Sequence, residues 1–172
     1  MNEKPILFST PMVRAILDGR KTMTRRVVKC DSIVDNKPYW NIGGFREGNF
    51  PYQVGIWLWV RETWQGTKDC ISYKASDPQQ VVEFNYEPWR PSIFMPRWAS
   101  RITLEITNVR VERLHEITEE DAEKEGVSFT QYTNANARFH FMELWDSINS
   151  KKYPWESNPW VWVIEFKRLE KI

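Results

Sequence analysis

Four basic side chains and two hydroxyls fall within eight residues of this chain, Gly19-Arg20-Lys21-Thr22-Met23-Thr24-Arg25-Arg26. Different chemistries can be built from that set. A threonine hydroxyl becomes a nucleophile when a neighbour takes its proton, and a neutral lysine can take it. The same lysine and arginines, if exposed, could instead contact phosphates. Charge alone allows a third reading, a solvated turn whose cations complement the C-terminus of a helix before it.

Other residues could contribute to a site. Arg61 and Glu62 are adjacent in an apolar segment, so as a strand it turns at most one of them to a given face. Trp64 closes that segment and could form a wall. Phe8 could stack on a base or belong to the core. Arg97 and Ser100 lie in a Pro-bounded loop, where functional groups concentrate. With Arg26, these are the candidate substrate contacts. His115 and His140 are the only histidines; neither has a metal-ligand spacing partner or a neighbouring nucleophile, and both read as structural. Cys30 and Cys70 are the only cysteines, too few for a disulfide framework or a paired CxxC zinc site. No metal or cofactor is expected. There is no GxSxG, Walker loop, GxGxxG or HExxH.

The elements that must position these groups can be read in order. Lys4 to Ser9 predicts a first strand. Thr10-Pro11 then opens a helix, with Thr10 as N-cap and Gly19 as its C-terminal stop. A strand is expected near Arg25 to Lys29. Ile56 to Trp64 (IWLWVRETW) predicts a strong strand, with Cys70 to Lys74 and Val81 to Tyr86 weaker ones. Pro88, Pro91 and Pro96 punctuate a loop. Arg101 to Leu114 alternates over a long strand with a bend near Asn108. Thr118 to Glu125 is a short acidic helix with Thr118 as N-cap and Gly126 as stop. Asn136 to Ser150 is a second helix, with Phe139, Met142 and Trp145 on one stripe and Phe141, Leu144 and Ile148 beside it. Trp160 to Leu169 is a closing strand.

With 172 residues, one domain spanning 1–172 is expected, carrying insertions at about 30–53 (with a small hairpin) and 65–96. Thirteen Val and thirteen Ile against seven Leu favour strands over a helical bundle. The element order is not βαβαβ, so the predicted class is α+β: a mixed β-barrel with a few short peripheral helices. Ten Trp supply core bulk or base-stacking surfaces. A net charge of +1 excludes a strongly basic nucleic-acid coat protein. No apolar run is long enough for a membrane span, MNEKPILFST has no apolar signal region, and the expected location is the cytoplasm.

Gly19-x-Lys21-x-x-x-x-Arg26 matches the GxKxxxxR signature of ASCH domains, β-barrels related to the PUA fold. The segments ILFSTPMVRAILDGRK, Gly55-IWLWVRE, Ile117-TEEDAEKEGV and Val163-IEFK follow that family's order, so the resemblance covers nearly the whole chain. VRETW and MPRWASRI resemble a phage- or prophage-encoded branch. Within the family, GRKTMTRR is similar to the GRKTxTxR turn of small bacterial amidohydrolases that deacetylate N4-acetylcytidine. The resemblance places their catalytic Lys and Thr on Lys21 and Thr24, and their catalytic Glu on Glu125 of Ala122-Glu123-Lys124-Glu125. The two insertions depart from those compact enzymes and bear on substrate identity.

The resemblance implies an amidohydrolase that needs no metal and acts on an N4-acylated cytosine nucleoside. Lys21 would be the base, Thr24 the nucleophile and Glu125 the proton shuttle. Bringing a free lysine from about 10.4 to near 7 takes roughly 4–5 kcal/mol; burial and the nearby Arg20, Arg25 and Arg26 could supply it, whereas a close Glu125 opposes it. Residues 21 and 24 would face opposite sides of an ideal strand, so an irregular turn is expected there. The three groups must share a site, with Lys21 and Glu125 within about 6 Å, one bridging water apart at most. As polar turn residues, Lys21 and Thr24 are expected to contribute little to stability. The alternative reading is an RNA- or single-strand-binding PUA-like module without hydrolase activity, in which Lys21, Arg25 and Arg26 contact phosphates and Trp residues stack bases. A virion or morphogenesis component is the third possibility, resting on the phage-like resemblance alone.

Overall fold

The computed structural model describes residues 3–29, 32–34, 37–39, 51–76, 88–127 and 136–170. Its frame is a pair of long antiparallel strands, β8 (Thr103–Arg113) and β9 (Trp160–Leu169), numbered here in chain order. Around them the sheet runs β1-β5-β8-β9-β2, where β1 is Glu3–Leu7, β2 is Met23–Val27 and β5 is Trp57–Arg61. β1 is parallel to β5, and every other neighbour in this sheet is antiparallel. The expected bend near Asn108 is a register shift between Ile106 and Asn108.

Both faces of the sheet are covered, which explains why the end of the sequence is apolar without alternation. Trp162, Ile164 and Phe166 of β9 pack with Ile6, Phe8, Leu58 and Leu104, under α1 (Thr10–Leu17). Val161 and Val163 pack on the other face with Met23, Ala122, Phe141 and Trp145, under α2 (Glu119–Lys124) and α3 (Ala137–Asn149). Two hairpins, β3 (Ser32–Val34) with β4 (Lys37–Tyr39) and β6 (Trp64–Gly66) with β7 (Ile71–Tyr73), stand outside the main sheet.

The α+β class and the few short helices agree with expectation. Among the described residues no backbone pairing joins β1 to β2. The edges are instead bridged by a side chain, since the Arg26 guanidinium donates to the Leu7 carbonyl at 2.7 Å. Three local expectations also change. Ser9, not Thr10, is the N-cap of α1, so Pro11 falls at the second helical position. β2 begins at Met23, two residues before the expected start. In α3 the buried stripe is Ala137, Phe141 and Trp145, while Phe139 and Ile148 are exposed; the i, i+4, i+8 face packs on α2 and the sheet, and the broader apolar face does not. The Val81–Tyr86 strand lies outside the described residues. No helix among the described residues is long and apolar enough to cross a membrane.

Candidate active site

Three chain segments meet at Lys21. Its own N–H donates to Ala15 O at 2.9 Å, at the end of α1, and the next residue, Thr22, donates to Lys124 O at 2.9 Å, at the end of α2. The C-termini of the two helices are thereby clamped to one turn. Glu125 is the C-cap of α2 and so faces Lys21 across a sequence separation of 104. Gly126 follows with φ +76°, and a Cβ there would lie 2.7 Å from the Lys21 Cβ and 2.8 Å from that of Ala15. A side chain at 126 would thus be strained and would displace Lys21. Gly126→Ala is expected to destabilise the protein by about 1–3 kcal/mol and to lower turnover, read as a fall in thermal midpoint together with a loss of activity in the remaining folded fraction.

The Lys21 side chain has no exposed surface. Its Nζ donates to Glu125 Oε2 at 2.7 Å, to Glu125 O at 2.9 Å and to Met23 O at 2.8 Å. Three acceptors around one nitrogen match the three protons of an ammonium. Burial pushes the Lys21 pKa down, the Glu125 carboxylate opposes this, and the charges of Arg26 and Arg25 add to the lowering. Arg20, expected to help, does not reach: it lies on the surface with Asp18 at 3.1 Å and Gly126 O at 3.2 Å.

The second oxygen of Glu125 faces Arg25, whose Nη1 is 3.3 Å away. Arg25 is fully buried and its Nη2 is held by Glu112 at 2.6 Å and Asp121 at 2.8 Å. Arg110 closes the network outward, bonding Glu112, Asp121 and Glu165. Sequence reasoning placed Arg25 on a solvated or phosphate-binding turn. The strand alternation of β2 corrects that: Met23, Arg25 and Val27 point toward α2 and α3, and Thr24 and Arg26 point the other way. Lys21 and Arg25 are shielded from solvent and ion-paired, while Arg20 is exposed and Arg26 lines a hollow.

Thr24 is 3% exposed and lies in a regular strand, not in an irregular turn. The spacing difficulty disappears because the irregularity sits at Lys21 and Thr22, before the strand starts. A hollow runs along the outer edge of β2, with Thr24, Arg25, Arg26, Val27 and Glu125 on its floor. Met12 of α1 forms one wall, and Phe141, Leu144, Trp145 and Ile148 of α3 form the other. Thr24 and Glu125 therefore share an accessible space, and Lys21 is bonded directly to that Glu125. The separation of 2.7 Å between Lys21 and Glu125 meets the shared-site condition with no water needed between them.

No family model and no curated protein matches this chain. Solved structures do match, two of them as follows. One is an ASCH domain from Lactobacillus crispatus JV V101, with 14% identity and a TM-score of 0.46 over 97% of this chain and 79% of that one. The other is protein EF3133 from Enterococcus faecalis V583, described under DUF984, with 10% identity and a TM-score of 0.48 over 98% of this chain and 80% of that one. The chain is similar to ASCH domains. Its roles for individual residues rest on the site itself.

Of the candidate substrate contacts, only Arg26 lines the hollow. It donates to Leu7 O and lies 5.2 Å from the Phe8 ring centroid, and burial lowers its pKa. Phe8 is 3% exposed, so it is a core ring under two cations, Lys21 and Arg26, and not an open stacking platform. The others have partners elsewhere. Glu62 is buried and takes a two-pronged bond from Arg101 at 2.8 and 3.0 Å. The Ser100 hydroxyl donates to Val60 O at 2.8 Å. Arg97 pairs with Glu3 at the surface. Trp64 is buried with Met95 and Ala99 under the Pro-bounded loop. Arg61 packs over the Trp59 ring at 4.8 Å. His115 is structural as expected, against Trp155. Sequence reasoning missed Glu112 and Asp121, and it read Arg25 only as a charge near Lys21 or a phosphate contact, not as their buried partner. The signal for Arg25 was its alternation with Met23 and Val27; the two carboxylates carried none.

Proposed function

We propose that the chain is an ASCH-type amidohydrolase that removes an acyl group from the exocyclic amine of a modified cytosine nucleoside. The observation that carries the reading is the buried Lys21–Glu125 pair at 2.7 Å, with Glu125 and Thr24 opening onto one hollow. In this scheme a proton passes from the Lys21 ammonium to Glu125, a transfer favoured by burial because it neutralises both groups. Neutral Lys21 then takes the Thr24 proton as Thr24 Oγ attacks the acyl carbon. Glu125 returns its proton to the exocyclic nitrogen as the C–N bond breaks, leaving cytidine and an acyl-threonine. Water, deprotonated by the Glu125 carboxylate, attacks the acyl carbon; the Lys21 ammonium gives a proton to Thr24 Oγ as the acyl–oxygen bond breaks and the acid leaves, and protonated Glu125 then returns a proton to Lys21.

Incubation with a panel of N4-acylated cytidines, followed by chromatography, tests the reaction. Thr24→Ala should reduce turnover by more than about a hundredfold with an unchanged fold, and Thr24→Ser should keep part of the activity. Full activity in Thr24→Ala would make water the direct nucleophile and end the acyl-threonine scheme.

A further inference from the structure

Strand β2 has a partner on one side, and its other side is the floor of the hollow. Register fixes which main-chain groups face which way. Phe166 N–H donates to Thr22 O at 2.9 Å and Val28 N–H to Trp160 O at 2.8 Å, while Thr24 stands opposite Ile164 and Arg26 opposite Trp162. Residues 22, 24, 26 and 28 therefore direct their N–H and C=O to β9, and residues 23, 25 and 27 direct theirs outward. Met23 agrees, because its carbonyl accepts from Lys21. The outward groups of Arg25 and Val27 have no main-chain partner among the described residues.

Such groups need hydrogen bonds from whatever fills the hollow. The Arg25 carbonyl and the Val27 N–H are neighbours on that edge, an acceptor followed by a donor. We propose that this pair reads the Watson–Crick edge of a cytosine base, with N4–H donating to the Arg25 carbonyl and N3 accepting from the Val27 N–H. Uracil presents the reverse pattern, a carbonyl oxygen toward the Arg25 carbonyl and N3–H toward the Val27 N–H. Direction agrees with the chemistry proposed above. The Arg25 carbonyl lies on the Thr24 side of the pair, so N4, which carries the acyl group and keeps one hydrogen, sits at the Thr24 and Glu125 end. Met12 on one wall and Leu144 and Ile148 on the other supply apolar surface for a flat ring. The edge could also take an extended peptide. Two residues of open edge are short for strand addition, and the carboxylate and hydroxyl on the floor favour a small polar ligand.

The choice of base rests on the proposed function, but binding of the product tests the edge without any turnover. Trp145 lines the hollow, so indole fluorescence of the full chain can follow titration with cytidine, uridine and 3-methylcytidine. Cytidine should quench saturably. Uridine and 3-methylcytidine, which leave one or both edge groups unpaired, should bind at least about tenfold more weakly. Val27→Pro removes an N–H that β9 does not use, and an edge strand tolerates it; it should weaken cytidine about tenfold and erase the preference over 3-methylcytidine. Equal affinity for cytidine and uridine, or no cytidine binding by the folded chain, overturns the inference, as does protection of the Arg25 and Val27 amides by a peptide alone. If Val27→Pro does not fold, the nucleoside series decides by itself. Cytidine preference without hydrolysis of any acylated cytidine would instead overturn the proposed function and leave the edge reading intact.

Discussion

Replacing Lys21 with alanine is expected to abolish turnover and to lower stability by about 3–5 kcal/mol, a fall in thermal midpoint of roughly 6–20 °C for a chain of this size. The stability loss is the informative half. As a turn residue read from sequence, Lys21 should hardly matter to folding. In the structure its side chain has no exposed surface, and Glu125 beside it has 3%. Truncating the lysine strands a buried carboxylate whose remaining opposite charge, Arg25, is 3.3 Å away and shared with two other acids. Thermal melts of Lys21→Ala and of the paired variant Lys21→Met with Glu125→Leu separate the two effects. The paired variant removes both charges and keeps volume, so it should recover most of the lost stability while remaining inactive. A Lys21→Ala protein that melts with the native chain would mean that the pair is solvated, and the proton-transfer scheme, which depends on burial, would go with it.

What the sequence made legible follows physical range. Local signals located α2 well, because the Thr118 cap and Gly126 stop act within a few residues: Thr118 accepts from Asp121 N–H, and Gly126 has positive φ. Hydrophobic patterning located β8 and β9. Thr10 misled because the chain carries two consecutive capping residues, Ser9 and Thr10, and the helix starts after the first. The pairing of Lys21 with Glu125 is not visible in any spacing rule; it entered through the resemblance of GRKTMTRR and AEKE to a known turn and helix. The three carboxylates of Arg25 lie 87, 96 and 100 residues away in sequence. Only the fold that brings β2, β8 and α2 together makes them neighbours, so the sequence showed no partner for Arg25. The candidates Glu62 and Ser100 have partners that the sequence also did not show, Arg101 for Glu62 and the Val60 carbonyl for Ser100. Those partners lie 39 and 40 residues away, beyond the reach of any local pattern.

Arg25→Leu is the second substitution with a large expected effect, about 3–5 kcal/mol of stability and most of the activity. Glu112, Asp121 and Glu125 converge on this guanidinium at 2.6, 2.8 and 3.3 Å. Arg110 also bonds Glu112 and Asp121, but it is partly exposed and reaches from the solvent side. With Arg25 gone, Glu125 would keep Lys21 alone, and nothing would fix its second oxygen. Arg25→Lys discriminates between charge and shape. A lysine restores the positive charge, but it offers one ammonium where the arginine offers two nitrogens in a fixed plane, so it cannot hold Glu125 from one nitrogen and Glu112 with Asp121 from the other. Arg25→Lys is therefore expected to regain much of the stability lost in Arg25→Leu and little of the turnover, with KM near the native value because cytosine-edge contacts come from the main chain. Adding Glu112→Gln to Arg25→Leu should raise the melting temperature of the latter by removing one of the stranded acids. Native turnover in Arg25→Lys would show that Glu125 needs only a nearby charge, and Arg25 would then be a folding residue with no part in aiming the carboxylate.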